Sequence, residues 1–224
     1  MNTKTRILSS VALAAGFLAG AGQVNAAGLL GQRYFGATFD YAFVSEDLNV
    51  DGTQGGIDDA TGLSLLYNQP IRDSLDLGIE YSYLTTDFGA SDGEYVLNGD
   101  ISMHEIYAGV TWFSAKRDKM KPFVTGALGW MKTEADADAG GENYNESDSS
   151  FAWLARAGIE FGIGDRIALA PVIEYADPLE SGADGTFSYG GYAEFELNKL
   201  SFVGRVMIDD ESNTTVSAGL TFGF

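Results

Sequence analysis

Cysteine is absent from this 224-residue chain, histidine occurs once, at His104, and proline only four times. Without cysteine no disulfide contributes to the fold, even in a compartment that would permit one. Bases are scarce: 13 Lys and Arg stand against 32 Asp and Glu, a net charge of -19, which argues against nucleic acid as a partner. Past the first few tens of residues no apolar run approaches the ~20 residues of a membrane-crossing helix. What is plentiful is glycine, at 29 residues, together with 14 Phe, 11 Tyr and 3 Trp. That composition suits strands and tight turns rather than helices.

The amino-terminal stretch reads as a targeting segment. Lys4 and Arg6 precede an apolar run over 7–21, and Val24, Asn25 and Ala26 supply a small-x-small cleavage pattern. No cysteine follows the run, so a lipoprotein is not expected. The expected division is a signal peptide over 1–26 and one β-barrel domain over 27–224.

Beyond it the chain alternates with a period of two in ten segments: 33–44, 61–68, 75–85, 102–113, 123–131, 151–163, 167–175, 187–197, 200–208 and 214–224. In the first, Phe35, Phe39, Tyr41 and Phe43 take one face and Tyr34, Thr38 and Asp40 the other. Pro171 interrupts the seventh, where it cannot donate a ladder hydrogen bond, so a bulge or weak pairing is expected. Connections alternate in length. Those over 45–60, 87–101, 132–150 and 176–186 are long and polar, whereas 68–74, 164–166 and 198–199 are short. The pattern predicts a closed, antiparallel, up-and-down transmembrane β-barrel of ten strands, with eight as the alternative count. The long loops are expected outside the cell and both termini on the periplasmic side.

A soluble barrel alternates too, and aromatic placement separates the two. Tyr67, Trp112, Phe123, Phe161, Phe195 and Phe202 fall near one rim; Tyr41, Phe43, Tyr81, Tyr83, Trp130, Trp153, Tyr175 and Tyr189 fall near the other. Two such belts are what the interfaces of a bilayer select. Val216, Ala218, Leu220, Phe222 and Phe224 then alternate to the end of the sequence. On these features the chain resembles bacterial outer-membrane β-barrel proteins, nearest in size to the small OmpA/OmpX-like or porin-like barrels. The resemblance implies a place in the outer membrane of a Gram-negative bacterium. It also implies that the final strand is read by the outer-membrane assembly machinery, with lipid and lipopolysaccharide as surroundings.

Acids and bases separate along this plan. The long connections hold most of the acids, among them Asp58, Asp59, Asp87, Asp100, Glu134, Asp136, Asp138 and Asp177, while Arg72, Lys116, Arg117, Lys119, Lys121, Arg166 and Lys199 sit at the short turns. Solvated loops are the simplest reading, and divalent-cation capture beside lipopolysaccharide is the functional one. Asp136 and Asp138, followed by Gly140 and Gly141, match part of a calcium loop but leave two ligand positions unfilled. No other metal site and no cofactor is expected. Parity turns Asp40, Asp76, Glu80, Glu105, Glu160, Glu174, Glu194 and Glu196 inward with Arg156 and Arg205. The arginines would bridge carboxylates and plug the lumen, or the excess of acids would line a narrow cation-preferring pore.

Catalysis is not expected. His104 has no aspartate two residues before it, and it faces outward with Ile106 rather than into the lumen. Ser102 shares its face, yet no orienting acid is recognisable there and no nucleophile elbow, phosphate loop or zinc motif occurs. The expected function is a small porin-like channel for small, cation-preferring solutes. The alternative is a non-conducting structural or surface-interaction barrel, adhesin-like or envelope-stabilising, and a barrel hydrolase is the remote third.

Overall fold

A computed structural model describes residues 30–44, 47–50, 53–91, 96–114, 120–139, 142–180 and 185–224. The expected signal peptide and the bases Lys116, Arg117 and Lys119 lie outside the described residues. The described chain forms twelve strands: β1(Tyr34–Phe43), β2(Asp47–Val50), β3(Thr53–Ile57), β4(Ala60–Arg72), β5(Leu75–Ser91), β6(Val96–Phe113), β7(Met120–Ala139), β8(Glu142–Ile163), β9(Ile167–Pro178), β10(Thr186–Leu197), β11(Leu200–Asp209) and β12(Thr214–Gly223). β1 and β4 to β12 close into a ten-stranded antiparallel barrel, sealed where β1 pairs with β12 from Tyr34↔Gly223 to Phe43↔Thr214. The ten-strand expectation is therefore met. Short connections and the two ends of the described chain gather at one end of the barrel, here the terminal end. The longer connections gather at the other, the loop end.

Alternation builds the wall. On β1 Tyr34, Thr38, Asp40 and Ala42 are buried while Phe35, Phe39 and Phe43 are exposed, and the other barrel strands repeat the pattern. Apolar side chains thus cover the outside, with Leu128 at 69% exposed and Phe39 at 53%, a surface that water penalises and hydrocarbon accepts. Outward aromatics form belts near both rims. One expected member departs: Phe123 points into the lumen and is buried. Its ring lies over Gly158, its cross-strand partner on β8, where a methyl would meet the ring at 2.6 Å. Tyr107 over Gly129 and Phe88 over Gly99 repeat the arrangement. Each inward aromatic occupies space that a glycine across the ladder leaves free.

The largest correction concerns the connections read as loops. β7 runs to Ala139 and β8 begins at Glu142, paired without interruption from Met120↔Phe161 to Ala139↔Glu142. β5 and β6 continue to Ser91↔Val96. The 22 residues of β8 amount to about 70 Å of strand, about twice what a tilted transmembrane strand of ~10 residues needs. Within the first long connection β2 and β3 form a hairpin that joins the upper part of β5 through Gln54↔Ser91 to Ile57↔Phe88. The result is a one-sided wall rising above the barrel, lined by a second apolar cluster of Ile57, Phe88, Ile101, Ala135 and Ala137.

At the expected weak point, β8 and β9 pair on either side of Pro171 but not across Ile159 and Glu160, with no change of register. A bulge does occur elsewhere, between Pro70 and Arg72 where β4 turns into β5.

Candidate functional site: a charged, filled lumen and a polar patch on its outer face

All ten lumen groups expected from parity do face inward, and nine of them are buried; Glu196, near the terminal rim, is half-buried. Glu174 on β9 is the hub. Its Oε2 accepts a hydrogen bond from Arg156 Nε at 2.6 Å and lies 3.5 Å from an Arg205 guanidinium nitrogen. All three side chains are at most 2% exposed. Register explains the convergence, since Arg156 stands directly across from Glu174 on the neighbouring strand. Asp40 is held by Ser64 Oγ at 2.6 Å and Thr38 Oγ1 at 3.2 Å. Neither carboxylate oxygen of Glu105 meets a donor, and the Tyr107 hydroxyl beside it on β6 is likewise unmatched.

A second set lies toward the terminal end. Lys121 Nζ bonds Glu160 at 3.0 Å, and Asp76 Oδ2 accepts from Gly31 N at 2.8 Å and Asn68 Nδ2 at 3.0 Å. Lys121 is a lumen residue that the sequence reading had placed in a turn. Its parity, opposite to that of the outward Val124 and Leu128, is the available signal, hidden by the adjoining Pro122. Through Gly31, at a φ of 82° that favours glycine, the chain entering β1 folds against the lumen mouth, with Leu30 packed on Phe113 and its neighbours.

Apolar layers cap the charges. Leu84, Met103, Tyr107, Met131 and Leu154 form one buried cluster toward the loop end; Phe113, Phe123, Val172, Tyr192 and Met207 form another below. A cavity of about 20 Å³, bordered by Glu80, Tyr107, Thr111, Thr125 and Arg156, is roughly the room of one water. The inward side chains are packed, those of Asp40, Ser64 and Asp76 fully buried.

The outer face carries its own polar patch. The Tyr81 hydroxyl hydrogen-bonds His104 Nδ1 at 2.8 Å, and His104 Nε2 lies 3.8 Å from Glu134, which in turn holds Lys132 at 2.5 Å. An acid therefore does stand beside His104, contrary to the sequence reading; Glu134 was assigned to a loop and belongs to β7. Of the two ring nitrogens, Nδ1 is hydrogen-bonded to Tyr81, while Nε2 lies beyond hydrogen-bond distance of Glu134.

Asp136 and Asp138 lie in the continuous β7 strand, opposite Asn145 and Asn143, and Asp136 accepts a hydrogen bond from Asn145. Gly140 and Gly141 of the partial calcium motif lie outside the described residues. Among the described residues no three acids or histidines come close enough to hold a metal ion. Val216, Ala218, Leu220, Phe222 and Phe224 all face outward along the closing strand.

A closed ten-stranded antiparallel barrel, apolar outside and lined within by ionisable side chains, defines the class: this is the fold of the bacterial outer-membrane β-barrels. Among solved structures, the translocator domain of the autotransporter NalP from Neisseria meningitidis superposes with a TM-score of 0.61 over 100% of both chains at 12% identity. The transport unit of the autotransporter AIDA-I from Escherichia coli gives 0.58 at 10% identity, covering 94% of this chain and 96% of that one. No family model matches the chain, nor does any curated protein. At these identities the likeness is one of fold.

Proposed function

We propose that the chain is a non-conducting barrel of the outer membrane, a structural and surface-interaction protein, rather than the cation-preferring small-solute channel its excess of inward acids first suggests. The observation that carries this reading is the filled lumen. Glu174 on β9 ties Arg156 of β8 and Arg205 of β11 together inside the bore, and the Leu84, Met103, Met131 and Leu154 layer lies over them. A pore must offer an ion a continuous wet path, and packed apolar side chains exclude water. A transport role of the kind named for the two autotransporter units would need an open bore for the same reason. The interior chemistry is that of a plug, and no enzymatic activity is proposed.

In this reading the loop end, with its raised wall and acids, faces outward, and the termini face the periplasm beside Arg72, Arg166 and Lys199. Lipopolysaccharide surrounds the upper belt, and divalent cations bridge its anionic groups to the acids. The strand ending in Phe224 engages the assembly machinery. Planar-bilayer recording of the refolded protein tests the central statement. No conductance above the lipid baseline is expected, whereas steady, cation-selective steps would overturn it.

A further inference from the structure

Among the described residues Lys132 is the only Lys or Arg on the outer surface of the barrel's loop half, and His104 is the chain's single histidine. The two are direct cross-strand partners, His104↔Lys132, on the lipid-facing side of β6 and β7. Tyr83 stands across from His104 on β5, its ring 4.9 Å from the imidazole, and Tyr81 hydrogen-bonds the same ring. One residue row toward the terminal end the surface is hydrocarbon-like, with Ile106 facing Trp130. Two rows toward the loop end it is acidic, with Asp87, Asp100 and Asp136 aligned across three strands. The sole cationic patch of this half thus lies at the boundary between apolar wall and acidic wall, inside the aromatic belt, where lipid headgroups sit.

From this placement we propose that Lys132 and His104, with the hydroxyls of Tyr81 and Tyr83, seat the phosphate of an anionic lipid headgroup in the leaflet at the loop end. The inference rests on the membrane placement of the barrel. Everywhere else on this half the acids repel a phosphate; here an ammonium with three donors gives one to Glu134 and keeps two for a ligand. Side-chain exposures of 31% for His104 and 35% for Lys132 leave both within reach of a headgroup. Aromatic hydroxyls beside a cation at belt height match the two-part chemistry of a phospholipid, apolar below and anionic above.

The test uses the full-length barrel refolded in neutral detergent, checked first by its heat-sensitive migration on a denaturing gel. Loss of that shift would count against the membrane-barrel reading itself and would appear before any lipid is added. Native mass spectrometry then compares retention of phosphatidic acid with phosphatidylcholine of the same acyl chains. Preferential retention of phosphatidic acid, weakened about ten-fold by Lys132→Gln or His104→Ala and unchanged by Lys199→Gln at the opposite rim, is the expected result. Equal retention of both lipids, or a preference that both patch variants keep, would overturn the assignment. So would displacement of the lipid by inorganic phosphate at equal concentration, which would mark a site for the free ion.

Discussion

At the scale of single residues, the barrel's interior turns on one carboxylate. Glu174 is the shared partner of two guanidinium groups that burial has stripped of water. Removing one partner of such a buried set strands the other charges, which costs more than the intact set ever contributes. Glu174→Ala is therefore expected to destabilise the folded barrel by roughly 3–5 kcal/mol, read by urea unfolding in lipid micelles with tryptophan fluorescence. A variant with unchanged midpoint would show that Arg156 and Arg205 are held by other groups. Parity in the sequence was enough to turn these residues inward. It could not rank them, because the height of a residue on a tilted strand depends on register with strands far away in sequence. For that reason the sequence shows neither that Lys121 reaches Glu160 in the lumen nor that, among the described residues, Glu105 meets no donor.

At the scale of strands, the sequence read the membrane portions well and the portions above them poorly. From Glu134 to Ala139 the alternation is of acids against alanines, residues that rarely favour strands, and it passes for loop. The ladder β7–β8 forms there all the same, since each strand continues one anchored in the membrane and pairs with a neighbour already in register. Pro171 acts as anticipated: pairing lapses beside it without shifting register. The closing strand β12 joins β11 on one side and β1 on the other, so its docking completes the barrel. Phe224 is 60% exposed and contributes little to packing. Phe224→Ala should hence lower the amount of folded barrel recovered in outer-membrane fractions while leaving the unfolding midpoint of the purified protein nearly unchanged. An unaltered yield would remove Phe224 from the assembly signal.

The molecule as a whole divides its charge. Net charge is -19, yet the described bases outside the lumen lie mostly at the terminal end while acids crowd the wall above the loop end. Asp87, Asp100 and Asp136 stand directly opposite one another across β5, β6 and β7, a placement that repels. Divalent cations should relieve it. Millimolar magnesium is expected to raise the melting temperature of the refolded barrel by a few degrees beyond sodium at equal ionic strength, and a chelator to reverse the gain. Equal effects of the two salts would reduce the wall to ordinary screened charge.

The sequence by itself determined the two faces of each transmembrane strand, the ten-strand barrel and the inward set of acids and arginines. These follow from a period of two, which every strand carries locally. Tertiary structure alone decided that Phe123 fills the lumen above Gly158, that the supposed loops stand up as a paired wall, and that Glu134 belongs beside His104. Above all it shows which inward charges meet, and on that the proposal of a plugged lumen rests. Whether inward charges line a pore or close it depends on which of them meet inside the bore, and the register of β8, β9 and β11 brings Arg156, Glu174 and Arg205 to one point.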